Sequence, residues 1–226
     1  QAAYENGRNP RRWDERHYLF CRGFLETHGE DIHNLRRAKM DAYMFDRYTV
    51  EVSDFDLLIG RYSLNFTTTE DMRGEISRAQ DIMAAVGQYQ SGAKTASTGH
   101  RVIDYELLLH EGVEGVLERV RKAHAALDPY APDRLERDIT YRSMELSLSA
   151  LIRFGYRTAD TLASLAAETE DRERRAQLET LAALFRRVPA KPAQTFYEAI
   201  QSMWFVQFAL ALIDDITLTG HPDRYL

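Results

Sequence analysis

Apolar residues recur at steps of three and four along most of this chain, which is the spacing of one buried face of an α-helix. Six helices are predicted on this basis, over residues 12–27, 35–45, about 67–87, 104–128, 132–166 and about 172–186. A polar loop is predicted at residues 91–99. The last three helices are long and amphipathic, so we expect them to pack as an antiparallel set.

The period changes in two places. Residues 49–52 and 55–59 are short and rich in β-branched and aromatic residues, which predicts extended segments around a turn that end at Gly60. Residues 188–192 contain two prolines and predict a stiff connector.

A seventh helix is predicted after this connector. Thr195 and Glu198 have the spacing of a capping box, in which each side chain satisfies a free backbone N–H group. The helix that they begin is apolar on every side by Trp204, which is typical of a helix inside a larger body. We therefore expect an exposed apolar surface around Trp204, Phe205 and Phe208.

Composition and charge exclude several classes of protein. The net charge of −6 and the scattered 29 basic residues argue against nucleic-acid binding. The apolar run at residues 203–213 is about half the length of a membrane span, and the N-terminal residues lack the charged, apolar and small-residue regions of a signal peptide. The single cysteine, Cys21, excludes an internal disulfide framework and is expected to be structural or on the surface. A cytoplasmic protein that binds neither membrane nor metal is predicted.

The ends of the chain suggest a piece of a longer protein. The first residue is Gln1 rather than Met, and the chain stops at Leu226 directly after a loop-like Gly-His-Pro-Asp sequence. We expect both ends to be cut.

Six ordered motifs resemble the N-terminal part of the glycyl radical enzymes related to pyruvate formate-lyase. They are FLET (24–27), RRAK (36–39), FDLLIG (55–60), GHRVIDYE (99–106), RVPAKPAQTFYEAIQSMWF (187–205) and GHPDRYL (220–226). Two departures stand out. Ile103 replaces the family's usual proline, and the stretch from Gly60 to Gly99 is shorter than in most members. Nothing in this chain corresponds to the family's thiyl cysteine or glycyl radical loop.

The resemblance implies a fold and a set of partners. Residues 1–226 would be the N-terminal, mostly helical part of a single domain built around a ten-stranded α/β barrel, cut before the catalytic cysteine and the radical glycine. The complete protein would be a homodimeric lyase, dehydratase or formate acetyltransferase that breaks a C–C or C–X bond by thiyl-radical hydrogen abstraction. An activating enzyme with S-adenosylmethionine and an iron–sulfur cluster would install the radical, and no cofactor would bind to this portion.

Four residues are candidate substrate contacts. His100 precedes a helix start in a loop, and the resemblance places it near the substrate pocket; the alternative is a capping histidine. Asp214, Asp215 and Thr217 follow the apolar helix, where carboxylates can orient a hydroxyl or ammonium group; the alternative is a solvated turn. These acidic residues favour a polyol or amine substrate over a carboxylate such as pyruvate. A non-catalytic helical scaffold or interaction protein derived from the same fold is the competing hypothesis for the whole chain.

Overall fold

The computed structural model describes residues 14–30, 32–63, 66–86, 102–213 and 220–225. These residues form helices and irregular segments, with no β-strand among them. The helices are α1 (Asp14–Glu26), α2 (His33–Arg47), α3 (Glu70–Ala85), α4 (Tyr105–Ala125), α5 (Arg134–Glu168), α6 (Arg172–Phe185) and α7 (Phe196–Ile213), followed by a 3₁₀ turn (Pro222–Arg224). All seven predicted helices are confirmed, whereas the whole of the predicted loop at 91–99 lies outside the described residues.

The first three helices enclose a small core of their own. Cys21 is fully buried there with Phe24, Met40, Ala79 and Met83. Burial raises the pKa of Cys21 to about 12, because the thiolate would lose its hydration. The structural role predicted for this cysteine is confirmed, and its thiol is unsuited to nucleophilic chemistry.

The main core lies between α2, α5, α6 and α7. The buried positions of α5 include Ala150, Phe154, Thr158, Leu162 and Ala166, which recur every four residues and so form one stripe. Contacts between Glu114 and Tyr156 and between His124 and Glu145 show that α4 and α5 run antiparallel. Only residues 169–171 join α5 to α6, and the ion pair between Asp160 and Arg186 brings the end of α6 back beside α5, so these two helices are also antiparallel. The predicted antiparallel set is therefore confirmed.

The irregular segment after α2 is held by side chains of other elements. Its turn falls at residues 54–55, as predicted. Gln201 of α7 accepts a hydrogen bond from the Ile59 amide at 2.8 Å and donates one to the Ile59 carbonyl at 2.7 Å. Trp204 donates to the Gly60 carbonyl at 2.9 Å. These contacts attach the segment to α7 in place of strand pairing.

Helix α4 is broken at Gly112, which the sequence pattern did not predict. Gly112 has φ 67° and ψ 173°, and a Cβ atom there would lie 2.5 Å from the Ala190 carbonyl oxygen. The interrupted backbone bonds to the proline-containing connector instead: the Val113 amide donates to the Pro189 carbonyl at 2.9 Å, and the Ala193 amide donates to the Leu109 carbonyl at 3.1 Å. The connector thus completes the helix on both sides of the break.

Helix α7 begins with a modified capping box. The Glu198 amide donates to the Thr195 hydroxyl at 3.2 Å, as predicted, but the Glu198 carboxylate accepts from the Gln194 amide at 2.6 Å rather than from that of Thr195. The same carboxylate accepts from Arg187 at 3.0 Å. The start of α7 is therefore linked to the end of α6 as well as capped.

The expected apolar surface on α7 is only partly present. Trp204 is 48% exposed, but Phe205 and Phe208 are buried, so their predicted exposure is wrong. Both phenyl rings lie against Phe154 of α5, at centroid distances of 4.9 Å and 6.3 Å. Helix α7 is long and apolar enough to span a membrane by length and composition. Its buried residues Phe205, Phe208 and Leu212 belong to the main core.

Candidate functional site

The start of α4 and the 3₁₀ turn pack against each other. Asp104 caps α4 by accepting a hydrogen bond from the Leu107 amide at 3.0 Å. Gly220 has φ 64°. It lies so close to Val102 that a Cβ atom on Gly220 would be 2.6 Å from the Cγ1 atom of Val102. The Tyr105 and Tyr225 rings meet edge to face at 5.9 Å. The residues before α4 and those around the turn therefore form one junction.

Helix α7 reaches the same junction through its second half. The buried Tyr105 hydroxyl donates to the Gln207 side-chain oxygen at 3.3 Å. Burial raises the pKa of Tyr105, so its phenol stays protonated and serves as a donor. Met203 of α7 packs in a cluster with Tyr105, Leu108 and Val113 of α4. The junction thus joins three parts of the chain.

The C-terminal end of α7 is held by two arginines from other helices. Arg16 of α1 donates from Nε to the Leu212 carbonyl at 2.6 Å. Arg37 of α2 donates to the Ile213 carbonyl and is paired with Asp41 at 3.0 Å. These guanidinium groups therefore bond the last two carbonyls of α7 within the described residues, where positive charge is favourable at a helix C-terminus.

The four predicted substrate contacts, His100, Asp214, Asp215 and Thr217, lie outside the described residues. Their described neighbours are informative. His100 is two residues before Val102, Asp214 directly follows Ile213, and Thr217 is three residues before Gly220. Because Val102 and Gly220 are in contact, the two chain segments that carry these candidates are attached at a common point.

An open groove of about 600 Å³ lies at the outer side of this junction. Its lining is mixed, with polar residues such as Glu106, His110 and Arg224 beside apolar ones such as Leu109 and Phe196. His110 and Glu114 lie on opposite sides of the break at Gly112, and Glu114 accepts a hydrogen bond from the Tyr156 hydroxyl at 2.9 Å.

A second groove, of about 560 Å³, lies between residues 52–54 and the α5–α6 connection. Its Arg174 donates to the carbonyls of Ser53 at 2.6 Å and Asp56 at 3.2 Å. This arginine therefore fixes the irregular segment, and its side chain belongs to the structure of the loop.

Comparison with known proteins decides the family. The model of the pyruvate formate lyase-like family matches residues 24–226. The chain belongs to this pyruvate formate lyase-like family. The resemblance that the motifs predicted is confirmed, and the junction is a part of the family's fold.

Two curated relatives are named for different reactions. The isethionate sulfite-lyase of Nitratidesulfovibrio vulgaris strain Hildenborough is 38% identical over 129 residues, which cover 55% of this chain and 16% of that protein. The probable dehydratase YbiW of Escherichia coli K12 is 28% identical over 237 residues, which cover 93% of this chain and 29% of that protein.

The fold is also that of a solved structure. The glycerol-bound B12-independent glycerol dehydratase of Clostridium butyricum superposes with a TM-score of 0.75 and 20% identity, covering 88% of this chain and 32% of that one. The pyruvate formate lyase-like chain described here therefore spans less than a third of the length of these three proteins.

Sequence reasoning did not identify the residues that build the junction. Tyr105 and Arg37 lie in the GHRVIDYE and RRAK motifs, but no structural role was predicted for them, for Gln207 or for Arg16, because each makes its contact with an element distant in sequence. Gly112 offered a detectable signal, since a glycine inside a helical pattern costs about 1 kcal/mol relative to alanine and implies a local reason.

Proposed function

We propose that this chain is the N-terminal portion of a glycyl radical enzyme that breaks a C–C or C–X bond of a small hydroxylated substrate. The observation that carries the proposal is the contact of Val102 with Gly220 in a chain of this family. Connectivity limits His100 to within about 7 Å of Val102, and Thr217 to within about 11 Å of Gly220. This favours a shared substrate site for the two segments.

Each candidate has a chemical role in this proposal. The His100 imidazole would bind a substrate hydroxyl, and Thr217 would donate or accept a further hydrogen bond. The carboxylates of Asp214 and Asp215 would orient a hydroxyl or an ammonium group. Two adjacent negative charges disfavour a carboxylate substrate, which supports a polyol or amine type.

The radical chemistry must come from the remainder of the enzyme. A glycyl radical supplies hydrogen-atom abstraction through a cysteine thiyl. Cys21 is the only cysteine of the chain, and it is enclosed by α1, α2 and α3 without exposure. The residues present therefore do not fit a radical centre, and this portion alone is proposed to be inactive. We further propose a cytoplasmic homodimer, activated by an S-adenosylmethionine-dependent iron–sulfur enzyme, in which this helical portion borders an α/β barrel.

The test is the complete gene product, expressed without oxygen together with an activating enzyme. We expect a glycyl radical signal in electron paramagnetic resonance and turnover of one hydroxylated compound in a panel of isethionate, glycerol, (2S)-3-sulfopropanediol and trans-4-hydroxy-L-proline, with no turnover of pyruvate. Absence of both radical and turnover would contradict the proposal and favour a non-catalytic helical scaffold.

Matched variants then test the site. His100→Gln and Asp215→Asn should each lower kcat/KM about 100-fold, as expected for loss of a polar group that contacts substrate. His28→Gln, in an exposed turn after α1, should leave kcat/KM within twofold of the wild type. Equal activity of all three variants would exclude the proposed contacts.

A further inference from the structure

Helix α3 is attached to the protein through α1. Its Glu75 carboxylate accepts hydrogen bonds from the Tyr18 hydroxyl, at 3.0 Å, and from the Arg22 guanidinium group. The Gln80 amide nitrogen lies 3.2 Å from Nε2 of His17. All three partner side chains belong to α1, which is also the helix against which α3 mainly packs. The position of α3 therefore depends on one neighbour.

Only a small part of α3 is buried. Ala79 and Met83 are its buried residues, and Ile76 and Ile82 are partly buried beside them. Because hydrophobic stabilisation grows with the apolar area removed from water, α3 gains less from packing than a helix with a long buried stripe, such as α5. Elements with few buried apolar contacts are those that open locally at the lowest free energy.

The two helices beneath α3 are fixed elsewhere. Leu19 of α1 and Met44 of α2 are both buried in the main core. Asp46 of α2 also forms an ion pair with Arg153 of α5, with an N–O distance of 2.8 Å. Departure of α3 would therefore leave α1 and α2 in place, because their contacts with the main core do not involve it.

Cys21 lies on the face of α1 that α3 covers. His17 is four residues before it and Arg22 one residue after it, and both contact α3. Residues four apart lie one above the other on a helix, and the Cys21 sulfur is 3.8 Å from Nε2 of His17. The thiol has no exposure, and burial raises its pKa to about 12. While α3 is in place, the thiol therefore stays protonated and unreactive.

We propose that α3 is a lid over the only cysteine of the chain, which opens from α1 as a unit and so exposes the Cys21 thiol to solvent. Helices α1 and α2 stay packed in the main core during this opening. Glu75 is the latch, because its carboxylate holds two donors of α1 through charge-assisted hydrogen bonds. The position of α3 thus controls whether this thiol can be modified, and the control does not depend on the proposed function.

Hydrogen exchange tests the opening in the complete, unactivated gene product. Amides of α3 should exchange at least about tenfold faster than those of α1 and α2. Glu75→Gln should raise exchange in α3 about tenfold further, the effect expected for loss of one charged hydrogen bond, without changing exchange in α5. Asp81→Asn, which removes a charge from an exposed position of α3, is the control and should stay within twofold. Exchange in α3 that is as slow as in α2, or unchanged by Glu75→Gln, would overturn the lid.

Alkylation tests whether the lid covers the thiol. The rate of Cys21 modification by iodoacetamide, measured on its peptide by mass spectrometry, should rise about tenfold in Glu75→Gln, in parallel with exchange in α3. Leu162→Ala weakens the main core instead, so it should raise exchange in α5 and leave Cys21 alkylation within twofold. Alkylation that follows Leu162→Ala rather than Glu75→Gln would overturn the proposal, because the thiol would then be reached only when the main core unfolds. Faster exchange in α3 without faster alkylation would equally exclude α3 as its cover.

Discussion

Helices α5 and α7 are both central to the main core, but they are placed by different forces. Helix α5 has 35 residues, with charged side chains along its solvent side and one buried apolar stripe. Helix α7 has 18 residues and one charged side chain, Glu198. The hydrophobic effect can orient α5, because turning it would expose the stripe. It orients α7 far less, since every face of that helix is apolar.

Polar contacts supply the orientation that α7 lacks. Gln201 and Trp204 bond the backbone of residues 59 and 60, and Tyr197 donates to the Leu57 carbonyl. Arg16 and Arg37 hold the other end. Because an unmatched buried polar group is costly, these contacts allow one rotation of α7 and penalise the others. An apolar helix can therefore be placed uniquely by a few hydrogen bonds.

Truncating the α5 stripe should have the largest effect on stability. Leu162→Ala should lower the free energy of unfolding by about 3 kcal/mol, because Leu162 is fully buried and its removal leaves a cavity. The matched control is Leu135→Ala on the same helix, where Leu135 is 73% exposed and the loss should stay below about 0.5 kcal/mol. Urea unfolding measures both values. Equal losses would show that the stripe does not place α5.

Removing the Gln201 side chain, which bonds α7 to the Ile59 backbone, should have the next largest effect on stability. Gln201→Leu should lower the free energy of unfolding by about 2 kcal/mol, since the buried amide and carbonyl of Ile59 would both lose their partner. Thermal unfolding monitored by circular dichroism measures the change, with Gln194→Leu at an exposed position as the control. A Gln201→Leu protein as stable as the wild type would contradict the polar placement of α7.

Loss of a polar contact at the solvent-exposed start of α5 should have the smallest effect on stability. His124 of α4 lies 3.0 Å from Asp138 and 2.7 Å from Glu145, both on α5. Hydrogen bonds to Asp138 and then Glu145 raise the pKa of His124, against a smaller opposing effect of desolvation. The stabilisation is thus complete below the ordinary histidine pKa and is lost as the pH rises through the raised value.

The raised pKa of His124 predicts a measurable pH dependence of the melting temperature. Between pH 6 and pH 9, the wild-type melting temperature should fall by about 1–2 °C more than that of His124→Gln, the size expected for a solvent-accessible ion pair. Differential scanning calorimetry at each pH provides the comparison. A difference of the opposite sign, or parallel curves for the two proteins, would show that the imidazolium does not join α4 to α5.

The helices were predictable because their signals are local. The α5 stripe repeats every four residues, and Asp104, Thr69 and Thr195 each cap a helix within three residues of their own position. The break at Gly112 was not predictable from periodicity, because apolar spacing continues across it. Its cause is the connector at residues 188–193, which lies far away in sequence.

The exposure of Phe205 and Phe208 was misjudged for a related reason. The sequence showed an apolar helix without an evident partner, but Phe154 of α5 lies against both rings. The candidate contacts His100, Asp214, Asp215 and Thr217 came from the resemblance and stay predictions. What the sequence could not reveal is that Val102 and Gly220 meet, since that contact depends on the packing of α4 against α7.

The break in α4 also bears on the order in which the chain can fold during synthesis. Val113 and Pro189 are 76 residues apart in sequence, and their hydrogen bond is one of those that complete the helix at the break. A ribosome releases the α4 sequence well before the connector. The first turns of α4, which carry Tyr105, therefore cannot reach their final arrangement until residue 193 has emerged, so the junction is one of the last parts of this portion to form.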